Sequence, residues 1–129
     1  MKTPYDKLFE RKRKWSPVQT TKGKLRDGSE EAIYRALAVR CLELPVGSFI
    51  TDGLEKAVPE SARKLLESNV KDEDNHDLAL NYIANALGTD EKAEREALRL
   101  RDAWVSHPDH TVVKALVAER AIFFVLLPF

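Results

Sequence analysis

Apolar residues recur at helical spacing along the chain from Ser29 onwards. The first apolar stripe consists of Ala36, Val39, Val46, Ile50, Leu54 and Ala57. Ser29 followed by Glu30 and Glu31 predicts the start of this helix, because acidic side chains are favoured near a helix N-terminus. Pro45 lacks a backbone N–H and clashes with the preceding turn, so we expect it to kink the segment or to split it in two.

Three further helices are predicted after this segment. The second opens at Pro59 and ends at Gly88, and its stripe consists of Ala62, Leu66, Leu80, Ile83 and Leu87. The third is capped by Thr89 or Asp90, and its stripe consists of Ala93, Ala97, Leu100 and Trp104. The fourth follows the loop 106–110, and its stripe consists of Val112, Ala115, Leu116, Ile122, Phe123 and Leu126. Because no stretch alternates with period two, the sequence predicts an all-α domain over residues 29–129.

Residues 1–28 are predicted to form an irregular N-terminal arm, since they show no sustained apolar period and contain several prolines and glycines. The basic run Arg11–Lys14 stands beside Trp15. Such a run is either a phosphate-binding arm or a solvated face next to an aromatic that docks on the body of the protein. We favour the second interpretation.

Composition narrows the class of protein. The 129 residues contain 21 Lys and Arg and 21 Asp and Glu, so the formal net charge is zero, which argues against a dedicated nucleic-acid binder. The single cysteine, Cys41, fits a reducing compartment. The polar N-terminus does not resemble a secretory signal, and the longest apolar run is far shorter than the roughly 18 residues of a membrane span. We therefore expect a cytoplasmic protein that binds neither membrane nor nucleic acid.

Charged residues interrupt the predicted apolar stripes at four positions, namely Glu43, Glu73, His76 and Glu119. A buried carboxylate has to be paired, protonated or bound to a metal, because an unpaired buried charge is very costly. Taken singly, each interruption has an ordinary explanation, and His76 could be a satisfied core histidine. The possible ion-pair partners are Arg35 and Arg40 for Glu43, and Lys114 and Arg120 for Glu119.

The four residues taken together favour a metal site. Three helices each place a carboxylate in mid-stripe, and Glu73 and His76 form a Glu-x-x-His step that puts both side chains on one helix face. Glutamates and Glu-x-x-His motifs on successive helices are the ligand plan of di-iron carboxylate bundles. Carboxylate and imidazole ligands suit iron or manganese.

The sequence His107-Pro-Asp-His110 is a second place where a metal could bind. A proline followed by an aspartate is more typical of a turn that leads into a helix cap. We therefore interpret this segment as a turn before the fourth helix.

The ordered set of acidic residues resembles the ferritin-like di-iron carboxylate superfamily, and within it the small (R2) subunit of ribonucleotide reductase and R2-like oxidases. Glu43 precedes Glu73 by 30 residues, Glu73-Asp-Asn-His76 continues as a long helix, and Val117-Ala-Glu-Arg-Ala-Ile-Phe-Phe124 is similar to the segment that carries a later ligand. The resemblance covers about residues 30–127. It implies a ferritin-like bundle and an oxidoreductase activity.

Within that resemblance, Glu43 and His76 would bind the first metal, Glu73 would bridge the two metals, and Glu119 would bind the second. The cofactor would be two iron ions, or iron and manganese, and the activity would be the activation of dioxygen. Leu80 stands where the radical-forming R2 proteins have a tyrosine, and Tyr82 belongs to another face. This difference favours an oxidase or oxygenase over a reductase subunit.

The second Glu-x-x-His of the family is not found in this sequence, which ends ten residues after Glu119. We expect it to lie on a longer chain, on a complementing chain segment, or on the other subunit of a homodimer. A redox partner and a small-molecule substrate are further expected partners. The alternative functions are a metal-free helical interaction module and a protein for iron storage or detoxification.

Overall fold

The computed structural model describes residues 1–21, 23, 25–56 and 58–122, and their side chains apart from those of residues 43, 44, 121 and 122. The predicted stripe positions Ala57, Phe123 and Leu126, and the side chain of Ile122, lie outside this description.

Helices account for all the regular secondary structure in the described ranges, so the all-α prediction is confirmed there. They are α1 (Pro4–Arg11), α2 (Glu30–Leu37), α3 (Arg40–Leu54), α4 (Glu60–Leu87), α5 (Glu91–Val105) and α6 (Thr111–Val117). A π-helical turn, Ala118–Ile122, continues α6. Among the described residues, no helix combines the length and the apolar character needed to cross a membrane.

The end of α4 and the start of α5 lie where the local sequence signals predicted them. Gly88 follows the last residue of α4 with a φ of 91°, a backbone conformation that a glycine adopts without strain. Asp90 caps α5, because its Oδ2 accepts a hydrogen bond of 2.8 Å from the backbone N–H of Ala93. Ser29 precedes α2 as predicted, although its hydroxyl donates to the carbonyl of Arg26 instead of capping the helix.

The first predicted helix is divided in two, but at a different place from Pro45. The interruption lies at Ala38 and Val39, whose carbonyls accept short-range bonds from the N–H groups of residues 41 and 42. Pro45 lies inside α3. Its missing hydrogen bond is offset by apolar burial in the next two turns, since Val46 and Phe49 are both buried.

The N-terminal arm contains a helix, so the prediction of an irregular segment is wrong for residues 4–11. Thr3 and Asp6 form a capping box, in which each side chain bonds the backbone N–H of the other residue. Pro4 occupies the first turn, where its missing N–H costs nothing. The sequence signal for this helix is the short pattern Thr-Pro-x-Asp at residues 3–6.

The core lies around α3, which packs against α4, α5 and α6. Its larger cluster consists of Val46, Phe49, Ile50, Ala115 and Ala118, with Leu66, Val70 and Trp104 packed against it. A smaller cluster consists of Ala38, Ala93 and Ala97, with Cys41 at its edge. Most of these residues belong to the predicted stripes, whereas Leu100 is 56% exposed, so its predicted inward position is wrong.

Val46 offers a direct test of this core, because its side chain is fully buried between the packed helices. We expect Val46→Ala to lower the free energy of unfolding by about 2 kcal/mol, from the lost apolar burial and the cavity that it leaves. Val18→Ala, at a position that is 83% exposed, should change it little. Urea denaturation measures both, and equal effects would contradict this assignment of the core.

Candidate metal centre

Glu73 lies at the middle of α4 and is 4% exposed. Helix α3 passes close by, since a Cβ added to Gly47 would lie 3.5 Å from the Cβ of Glu73. Among the described residues, no hydrogen-bond donor reaches the buried Oε2 atom of this carboxylate. A buried carboxylate oxygen with no donor is destabilising, so the position calls for a proton or a cation.

His76 follows Glu73 by one helical turn and presents its imidazole to the same site. The Nδ1 atom of His76 lies 3.5 Å from Oε2 of Glu73, which is at the edge of direct contact. The histidine side chain is 40% exposed, whereas that of Glu73 is 5% exposed. The predicted Glu-x-x-His step therefore brings one nitrogen and one carboxylate together, with the carboxylate on the inner side.

Glu119 approaches the same carboxylate from the π-helical turn. Burial raises the pKa of the Glu119 carboxyl group to about 7, helped by a hydrogen bond to Glu73 and by the negative charge of that residue. His76 and Arg120 act in the opposite direction with smaller effects. The residue as a whole is exposed, and it lines the cleft in which its carboxyl group meets Glu73. Single π-helical turns occur often at functional sites.

The fourth predicted ligand, Glu43, belongs to α3 by its backbone, while its side chain is outside the described set. The two arginines considered as its ion-pair partners are both bonded to other carboxylates. Arg40 forms an ion pair with Glu94, and Arg35 forms one with Glu31 at 2.8 Å.

The described contacts also give no support to an ion pair between Glu119 and Lys114. Lys114 is 8% exposed, and its ammonium group donates to the carbonyls of Val105 and His107 at 2.9 and 3.1 Å. It also lies 4.5 Å above the ring of Phe49. No ion pair with lysine or arginine is found for Glu73 or Glu119 among the side chains that the structure describes.

These groups line a cleft of about 420 Å³. Its apolar lining consists of Ile50, Leu66, Val112, Ala115 and Leu116, and its polar lining of Asn69, Asp72, Glu73, His76, Glu119 and Arg120. Carboxylates and imidazoles are side-chain groups that can bind iron or manganese. Within the described side chains, no group of three or more acidic, histidine or cysteine residues is arranged to hold a metal ion. Glu73, Glu119 and His76 are therefore neighbours in the cleft, but these three described side chains are not arranged as a three-ligand metal site.

The N-terminal arm contributes residues that the sequence patterns did not assign to the site. Lys12 forms an ion pair with Asp72 at 2.5 Å, one residue before Glu73 on α4. The indole of Trp15 stacks on the imidazole of His76, with ring centroids 5.3 Å apart. The interpretation of Trp15 as a docked aromatic is thus confirmed, but no sequence signal indicated which residue it would contact.

The segment His107–His110 forms the predicted turn and cap. The Nδ1 atom of His110 accepts a hydrogen bond of 3.2 Å from the backbone N–H of Val112, which starts α6. The Oδ2 atom of Asp109 lies 3.3 Å from Nδ1 of His107 across the turn.

No family model matches the chain, and neither the curated proteins nor the solved structures include a similar one.

The Glu73–Glu119 pair predicts a specific dependence of stability on pH. The pKa of Glu119 is about 7 in the folded protein and 4.5 for an unperturbed group, so the folded state holds a proton that the unfolded state has lost between these values. In metal-free protein, this pair should make the free energy of unfolding fall as the pH rises from about 5 to 7, and level off above that.

Urea denaturation between pH 5 and 8 measures this slope. Glu119→Gln should reduce it, whereas Glu67→Gln, at an exposed position of α4, should leave it in place. An unchanged slope in the Glu119 variant would contradict the assignment of this pH dependence to the Glu119 carboxyl group.

Proposed function

We propose that this protein is a ferritin-like, R2-like carboxylate protein that uses two iron ions, or iron and manganese, to activate dioxygen. Glu43, Glu73, His76 and Glu119 would be the ligands supplied by this chain. The observation that supports the proposal most strongly is the buried Oε2 of Glu73, which has no donor among the described residues and faces His76. In the metal-free protein the proton held by Glu119 compensates part of this cost, and a bound cation would take the place of that proton.

The bound metals would supply the redox chemistry with dioxygen. Glu73 would contribute a carboxylate held deep in the site by its place in α4, and His76 would contribute Nδ1, the ring atom that faces that carboxylate. Glu119 would release its proton when a cation binds, because its raised pKa comes from burial and from its acidic neighbour. Ile50 and Ala115 line the cleft and would limit the access of water.

The remaining ligands would come from a second copy of the chain or from another chain segment. A two-fold dimer would repeat every ligand at a shared site. A redox partner and a small-molecule substrate complete the proposed activity.

The two alternative functions predict different partners for the buried carboxylates and different numbers of bound ions. A metal-free interaction module would pair its buried carboxylates with lysine or arginine, and the described partners of Lys114 and Arg40 do not favour this. Iron storage would require many ions per chain, whereas an oxygenase would hold about two.

Metal binding is the first measurement to make. After anaerobic loading with Fe(II) and removal of free metal, we expect elemental analysis to find one or two irons per chain. His76→Ala should lose most of this iron, because it removes the imidazole that lies beside Glu73. His107→Ala is the matched control, since it removes a histidine from an exposed turn.

On exposure to air, the loaded wild-type protein should then oxidise its Fe(II) faster than the same iron in buffer. A wild-type protein that binds no Fe(II) would overturn the proposal for this chain. Equal loss of iron in the two histidine variants would exclude His76 as a ligand, and many irons per chain would favour storage.

Stability and metal binding should respond in opposite directions to Glu73→Gln. In the metal-free protein this change removes a buried charge that faces Glu119, so the free energy of unfolding at pH 8 should rise by about 1 kcal/mol. Fe(II) binding should fall sharply, because an amide is a poor substitute for a carboxylate ligand. Urea denaturation and Fe(II) titration, with Glu67→Gln as the control, measure the two effects. A loss of stability would instead indicate that Glu73 has a structural ion-pair role.

A further inference from the structure

The segment that follows α1 crosses the surface of α4 beside the candidate site. Lys12 attaches it there, because its ammonium group lies 2.7 Å from the hydroxyl of Ser68, 2.6 Å from the side-chain oxygen of Asn69 and 2.5 Å from a carboxylate oxygen of Asp72. The side chains of Lys12 and Asp72 are only 23% and 24% exposed. Asn69 and Asp72 also line the cleft. This anchor is therefore partly buried and forms part of the wall of the site.

Three residues further along, Trp15 reaches the next turn of α4. Its indole stacks on His76 with an angle of 28° between the ring planes. The backbone carbonyl of Trp15 accepts a hydrogen bond of 3.3 Å from the side-chain amide of Asn75. The hydrogen bond to its backbone carbonyl therefore attaches Trp15 to α4, and its indole lies against one face of the imidazole.

We propose that Trp15 is a positioning residue for His76, and that the segment 12–15 is a clamp that holds this imidazole ready to bind a metal. The inference rests on the proposed function, because it assigns His76 its role as a ligand. A histidine at a helix surface can rotate about two side-chain torsions, and a ring packed on one face loses most of that freedom.

The clamp holds the imidazole in the orientation that the proposed metal binding requires. With the indole on its face, the imidazole keeps Nδ1 within 3.5 Å of the Glu73 carboxylate. Residues that orient a metal-binding histidine commonly change metal affinity by about 10- to 100-fold when they are removed. Trp15 is 42% exposed, so its replacement should disturb the core very little.

The test compares Co(II) binding to the wild-type protein and to Trp15→Ala, Trp15→Phe and Arg13→Ala. We expect Trp15→Ala to weaken Co(II) binding by about tenfold, because the indole no longer packs on the face of the imidazole. Trp15→Phe keeps an aromatic face and should retain most of the affinity. Arg13→Ala alters an exposed residue of the same segment and should bind as the wild type does. Urea denaturation of each variant checks that the fold is unchanged.

A metal-free measurement separates this inference from the proposed function. In the proton NMR spectrum, the carbon-bound ring protons of His76 should be shifted upfield by the indole, and Trp15→Ala should abolish the shift. Absence of the shift in the wild-type protein would overturn the clamp whatever the metal result. Wild-type affinity for Co(II) in Trp15→Ala would overturn the positioning role and leave the proposed function standing. A failure of the wild-type protein to bind Co(II) would overturn both.

Discussion

The buried carboxylate of Glu73 is the constraint around which the other features of the site are arranged. It lies in the middle of the longest helix, is almost inaccessible to solvent, and has one oxygen without a donor among the described residues. Removing an anion from water costs several kcal/mol, so the surroundings of Glu73 have to compensate for its buried charge. The neighbouring residues do not supply a lysine or arginine within the described contacts. They supply a second carboxyl group, Glu119, and an imidazole, His76.

Two structural devices bring those groups to Glu73. The π-helical turn Ala118–Ile122 accommodates a longer turn than an α-helix does, and it presents the carboxyl group of Glu119 to the cleft while Ala118 remains fully buried. The N-terminal arm supplies the second device, since Lys12 attaches it to α4 and Trp15 then lies on His76. A site of this kind depends as much on what orients its side chains as on the side chains themselves.

Sequence patterns predicted the all-α class and the positions of α4 and α5, because the ends of these two helices are determined locally. The cap at Asp90 and the positive φ of Gly88 depend on the residues next to them, and both were predicted. Pro45 shows where local sequence rules fail, because it lies inside α3 and does not end that helix. The free-energy cost of its missing hydrogen bond is offset by the burial of Val46 and Phe49, and this burial depends on how the helices pack. The helix of the N-terminal arm was not predicted, although its start is also marked locally by the capping box of Thr3 and Asp6.

By itself, the sequence determined that the described chain is helical and that Glu73 and His76 share a helix face, because helical periodicity connects residues only three or four positions apart. It also identified Glu119 as a charge in an apolar stripe. Only the tertiary structure decided that Glu119 lies beside Glu73 and that Trp15 covers His76. These contacts join residues 46 and 61 positions apart. No local pattern specifies such contacts, because they depend on how separate helices and the arm pack against one another.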